Sequence, residues 1–232
     1  MTDALEIRGF RLYPQWLDRS AQDMLVATLR EILRQAPLYR PVTPRGQEMS
    51  VRMSAAGRFG WVTDRRGYRY EPRHPAGMDW PPIPQQVLEI WEAVTDGARA
   101  PECCLINWYG EGARMGLHQD RDEADFSCPV VSVSLGDDGL FRMGNTERGG
   151  KTESVWLRSG DVVVMGGEAR LRARGDKLEL RSIPPEEWKQ VEDAAITFWD
   201  EIAQEGEVHQ KVVDIFRDYN DVINRAGPPY TF

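Results

Sequence analysis

From Cys103 onward the chain breaks into short β-rich runs at nearly even spacing, and this punctuation limits the possible folds more than any other feature. The runs are Cys103–Trp108 and residues 129–135, 154–157 and 161–165, cut by Gly110, Gly136-Asp137-Asp138-Gly139, Gly149-Gly150 and Ser159-Gly160. In the second run Val131, Val133 and Leu135 alternate with Ser132 and Ser134, the two-residue period of a strand with one wet face. Regular short strands of this kind predict a sandwich or jelly roll. At 232 residues the chain can bury one core and a small appendage.

Helices flank the strands. Residues 20–35 place Met24, Leu25, Leu29, Ile32 and Leu33 at three- and four-residue steps behind a serine cap, and Pro37 ends the run. Val87, Leu88, Ile90 and Trp91 mark a second, shorter helix over 84–94. Between them, residues 40–84 are rich in Arg, Gly, Pro and aromatics and read as loop and hairpin rather than core. After Gly175, Trp188, Val191, Ala195, Phe198 and Ile202 form one helical stripe, and Val212, Ile215, Phe216, Tyr219 and Ile223 form another, stopped by Gly227-Pro228-Pro229. Both stripes read as core-type packing.

Charge divides the same way. Residues 1–174 hold 23 basic and 24 acidic side chains, whereas 175–232 hold 6 and 13, so the net charge of −8 belongs mostly to an acidic helical tail. Lysine is 1 of the 23 basic residues before that boundary and 3 of the 6 after it. Two domains are expected, 1–174 and 175–232. Residues 40–73 carry eight arginines against Glu48, Asp64 and Glu71, a local +5 that could neutralise a few phosphates. Cys103, Cys104 and Cys128 lack C-x-x-C spacing, which argues against a disulfide framework or a zinc site. No basic, apolar leader opens the chain and no run reaches the roughly 18 apolar residues of a membrane span, so a cytoplasmic protein with no membrane partner is expected.

The chemistry gathers at His118-Gln119-Asp120. His-x-Asp offers one nitrogen and one carboxylate to a metal, and nitrogen and oxygen ligands around open positions suit non-haem Fe(II), whose usual facial triad is two histidines and a carboxylate. Of the other histidines, His74, beside Pro72, Pro75 and Gly77, reads as a solvated loop residue, and His209 lies in the acidic tail. Asp161 reads as a strand-entry turn residue.

The segments Asn107-Trp108-Tyr109-Gly110, Leu117-His118-Gln119-Asp120-Arg121-Asp122-Glu123, Pro129-Val130-Val131-Ser132-Val133-Ser134-Leu135-Gly136 and Gly166-Gly167-Glu168-Ala169-Arg170-Leu171 resemble the AlkB family over about residues 5–172. Those proteins are Fe(II)- and 2-oxoglutarate-dependent dioxygenases that oxidatively dealkylate nucleic-acid bases in DNA repair. The resemblance implies an α+β fold, mainly β: a double-stranded β-helix (jelly roll) with N-terminal helices, here with a C-terminal helical pair in place of the closing strands. It makes His118 and Asp120 metal ligands, Asn107 and Tyr109 partners of 2-oxoglutarate, and Asp122 a catalytic contact to the damaged base. Gly60-Trp61-Val62-Thr63 and Gly67-Tyr68-Arg69-Tyr70 look like the nucleotide lid, with Trp61 stacking on a flipped base and Tyr68 holding the substrate backbone. Arg148 stands where the family places a substrate-contacting arginine. The implied partner is alkylated single-stranded DNA or RNA.

One departure is specific. The family follows Gly-Gly-x-x-Arg-Leu with a Tyr-His-Gly that supplies the second histidine, whereas here Arg172-Ala173-Arg174-Gly175 follows and Arg174 takes the histidine's place. A guanidinium has no lone pair to give a metal. The closing Arg-x-Asn-x-Thr-x-Arg strand is also missing; Arg217, Asn220 and Arg225 have the wrong spacing and sit in a predicted helix. The tail, with Phe198-Trp199-Asp200-Glu201-Ile202-Ala203 and Tyr219-Asn220-Asp221-Val222, resembles the last helices of TRAP-transporter solute-binding proteins, as in a fused or frame-disrupted gene. The expected function is oxidative dealkylation of alkylated bases, impaired by the lost histidine. The alternative is a non-catalytic nucleic-acid-binding remnant.

Overall fold

A computed structural model describes residues 4–120, 123, 125–146, 149–172, 174–178, 185–204 and 206–226. Two compact units divide the chain, residues 1–180 and 181–232. In order, the first contains β1 (Leu5–Ile7), β2 (Phe10–Tyr13), α1 (Arg19–Gln35), β3 (Arg52–Gly57), β4 (Gly60–Asp64), β5 (Gly67–Glu71), α2 (Gln85–Val94), β6 (Cys103–Trp108), β7 (Val130–Val133), β8 (Gly139–Met143), β9 (Glu153–Leu157), β10 (Val162–Met165) and β11 (Arg174–Leu178). The second contains α3 (Pro185–Ala203) and α4 (Glu207–Ala226).

An antiparallel sheet ordered β1-β2-β10-β7 faces another ordered β11-β8-β9. Alternate residues of a strand project to one side, so Phe10, Leu12, Val163 and Met165 meet Phe141, Met143 and Leu157 in a shared buried cluster. Phe10 sets its ring edge against Phe141 at 5.7 Å. This is the jelly-roll sandwich that the short strands predict. The other face of β10 is covered as well: Val162 packs with Leu25 of α1 and Ile90 of α2. A strand buried on both faces has no need to alternate, which is why Val162-Val163-Val164-Met165 is uniformly apolar.

Several expectations need correction. The cap of α1 is Asp18, whose carboxylate accepts from the Ala21 N–H at 2.8 Å, so the serine at position 20 lies inside the helix. Residues 40–84 contribute core, since Val51, Met53, Ala55, Ala56 and Val62 are buried. β3 pairs with β6 and β4 pairs with β5. A Cβ on Gly60 would lie 2.4 Å from the Trp80 ring, so only glycine lets that indole approach the strand. His74 is 5% exposed and not solvated. One ring nitrogen contacts the Pro37 carbonyl at 2.8 Å, the other accepts from the Ala76 N–H at 3.0 Å, and Tyr39 and Trp80 pack edge-on to the ring.

In the second unit Trp199 stacks on Phe216 at 5.9 Å, and Val213 is buried. Phe198, Val212 and Ile215 are exposed, so they are not core as expected. The buried position on α4 falls one residue past Val212. Among the described residues no helix is long and apolar enough to cross a membrane.

Candidate active site

The segment after β6 places His118 opposite the first residue of β11. His118 and Arg174 exchange both backbone hydrogen bonds, His118 N–H to the Arg174 carbonyl at 2.8 Å and Arg174 N–H to the His118 carbonyl at 2.7 Å. Directly opposed residues of an antiparallel pair put their side chains on the same face with Cβ atoms about 5 Å apart. The side chain at position 174 therefore stands beside His118 on one face. The approach is close: a Cβ on Gly175 would meet the Met115 carbonyl at 2.9 Å and the Leu117 nitrogen at 3.0 Å.

On the imidazole, Nδ1 lies 2.7 Å from the Gly116 carbonyl and donates there, which turns Nε2 toward Asp120. Nε2 is 3.4 Å from Asp120 Oδ1. Asp120 Oδ2 accepts from Arg174 Nε at 3.1 Å and Nη2 at 2.9 Å, with Arg170 Nη1 at 3.8 Å. Burial alone would raise the Asp120 pKa, but His118 and Arg174 outweigh it and hold the carboxyl well below its ordinary range.

The ion pairs continue outward. The Arg170 side chain, 2% exposed, gives Nη2–H to Glu123 Oε2 at 2.7 Å and lies over the Phe126 ring at 5.2 Å. Glu123 also accepts from the Tyr70 hydroxyl at 3.4 Å, and its burial raises its pKa despite Arg170. Tyr70 belongs to β5 of the lid hairpin, so a polar chain joins the lid to Asp120. Sequence reasoning did not single out Glu123 or Arg170, and read Tyr70 only as a lid aromatic. The available clue was Arg170, a permanent charge at the end of an apolar run.

Asn107, opposite Met53 in the β3–β6 ladder, has a buried Oδ1 with no hydrogen-bond partner. Such a group is costly unless a ligand completes it, and the amide offers a donor or an acceptor according to its flip. Tyr109 packs with Met115 and Trp61 on the buried cluster of Val51, Met53 and Ala113. In the hairpin, Trp61 stacks on Tyr68 at 5.5 Å with an interplanar angle of 18°, and Tyr68 is 49% exposed. Asp122 and Arg148 lie outside the described residues. Of the eight arginines over 40–73, Arg58 pairs with Glu102, Arg66 and Arg69 with Asp64, and Arg73 with Asp79, while Arg52 lies over Trp108.

A jelly roll that carries His-x-Asp in this setting defines the class of oxygenases that use iron and a 2-oxo acid: residues 9–175 match the 2OG-Fe(II) oxygenase superfamily, and the chain belongs to it, in its AlkB family. It is 48% identical over 170 residues, 73% of this chain and 77% of the relative, to the alpha-ketoglutarate-dependent dioxygenase AlkB homolog of Caulobacter vibrioides. A more distant relative, 30% identical over 201 residues, is the DNA N(6)-methyladenine demethylase ALKBH1D of Arabidopsis thaliana, where the match spans 76% of this chain and 45% of the relative. The solved structure of OsALKBH1 superposes with a TM-score of 0.63 at 27% identity, covering 81% of this chain and 93% of that one.

The superfamily's cofactors are Fe(II) and 2-oxoglutarate. Asn107 would suit an oxygen-rich ligand with its amide turned so that Nδ2 takes the unmet position and donates. The metal position does not suit iron. Two lone-pair donors, His118 Nε2 and Asp120, face a guanidinium that holds the carboxylate. Among the described residues no group of three or more His, Cys, Asp or Glu is placed to hold a metal ion.

Proposed function

We propose that this chain engages alkylated bases in single-stranded DNA or RNA, and that its oxidative dealkylation with Fe(II), O₂ and 2-oxoglutarate is strongly impaired. The observation that carries both halves is Arg174, held opposite His118 and bonded to Asp120 within an otherwise AlkB-type site. In this reading Trp61 stacks on the extruded base, Tyr68 swings out to hold the backbone, and Asn107 and Tyr109 face the co-substrate. Asp122 contacts the base and Arg148 the strand. A base costs a few kcal/mol to extrude, least when damaged or single-stranded, and stacking on Trp61 returns about 1–3 kcal/mol of that. The base-binding half needs no metal ligand.

The test is release of succinate and formaldehyde from methylated single-stranded DNA. Loss of an outer-shell partner alone costs about 10–100-fold, so loss of a ligand sets the expected rate at least about 100-fold below an intact relative assayed beside it. A matching rate would refute the impairment. Binding is tested apart from turnover: affinity for the methylated strand should fall with salt and drop about 10-fold or more in Trp61→Ala. Affinity that ignores both would refute base engagement.

A further inference from the structure

We infer that the Arg174 guanidinium is a built-in replacement for the metal ion: it brings to Asp120 the positive charge an ion would bring, so the site is assembled with no metal bound. This rests on reading the His118–Asp120 corner as the family's metal position. A carboxylate taken out of water needs an opposite charge and hydrogen-bond donors, or its burial is costly. Arg174 provides both, with Nε and Nη2 directed at Asp120 Oδ2 at 3.1 and 2.9 Å. Among the described residues, Arg174 and Arg170 stand against Asp120 and Glu123 in a chain of ion pairs running outward from Oδ2. A divalent ion would have to expel the guanidinium from Oδ2 and stand beside a second positive charge. The two cations therefore compete for one carboxylate.

The placement is set by backbone and not by side-chain chance. The paired hydrogen bonds of His118 and Arg174, with Gly175 admitting the close crossing of residues 115–117, fix which residue faces the corner. At this register a histidine completes a metal site and an arginine closes it.

The experiment measures the Tm of the full chain with EDTA or with Mn(II) alone. The wild type should show the same Tm in both. Arg174→His should respond to Mn(II), rising about 5–10 °C at a hundredfold excess over its Kd. Arg174→Met should melt about 4–8 °C below wild type with no rescue by Mn(II), while Arg174→Lys, which keeps the charge, should recover most of the loss. The inference is overturned if Mn(II) stabilises the wild type and Asp120→Asn abolishes the effect, or if Arg174→Met is as stable as wild type. Methylated oligonucleotide binding, measured on the same wild-type sample, reports on base engagement separately, so either reading can fail without the other.

Discussion

At the scale of single residues, burial decides chemistry that composition leaves open. Burial pushes the Cys103 thiol up to about 12, with the neighbouring Cys104 adding to it, and pushes Cys104 up to about 11. Only the thiolate attacks, so at pH 8 Cys103 should react with a disulfide reagent about a thousandfold, and Cys104 about a hundredfold, more slowly in the native protein than in urea. Two fast native thiols in a labelling time course would contradict this. His74 shows what the sequence hides. Its prolines and glycine suggest a loop, and it is in a loop, but Tyr39 and Trp80 reach it from 35 residues before and 6 after, a closure no local pattern reveals. His74→Phe keeps the ring contacts and strips the partners from the Pro37 carbonyl and the Ala76 N–H; about 2–4 kcal/mol should be lost in urea unfolding. A loss under about 0.5 kcal/mol would mean that water replaces both contacts. Within the site, His118, Asp120, Asn107 and Arg174 were legible because a motif carries them. The pairing of Arg170 with Glu123 was not, since it joins residues 47 apart.

Among elements, legibility followed how many faces a strand buries. β6, β9 and β10 could be placed from local composition and the turns around them. β3 could not, because Met53, Ser54, Ala55 and Ala56 are all buried and small residues carry no alternating mark. β11 is hidden for another reason: Arg174-Gly175-Asp176-Lys177-Leu178 has weak strand propensity and becomes a strand by pairing with β8. In the hairpin β4–β5, one contact that seats it can be tested directly. Gly60→Ala drives a methyl into the Trp80 ring, which should cost about 1–3 kcal/mol and shift the strand that carries Trp61. Oligonucleotide affinity should then fall with stability, whereas Trp61→Ala should lower affinity with Tm nearly unchanged. Equal behaviour of the two variants would show that Trp61 serves the hairpin and not the base.

For the whole molecule, the balance of charge sets how the chain meets a polyanion. All four buried apolar clusters of the described residues lie within residues 1–180. Residues 181–232 hold 5 basic and 11 acidic side chains, a net of −6, leaving −2 for the rest. A chain ending at residue 180 should therefore keep a cooperative melt and lose most of its repulsion for nucleic acid. Long-range charge acts over about 10 Å at 0.1 M salt and about 3 Å at 1 M. The shortened chain should accordingly bind methylated single strands about 3- to 10-fold more tightly at 50 mM salt and indistinguishably at 1 M. If residues 40–73 supply the phosphate contacts, their number is unchanged by the truncation, so near physiological salt the slope of log K against log salt should keep most of its value. Tighter binding that persists at 1 M would instead mean that residues 181–232 obstruct the strand sterically, and a lost melt would mean that the first unit needs them to fold.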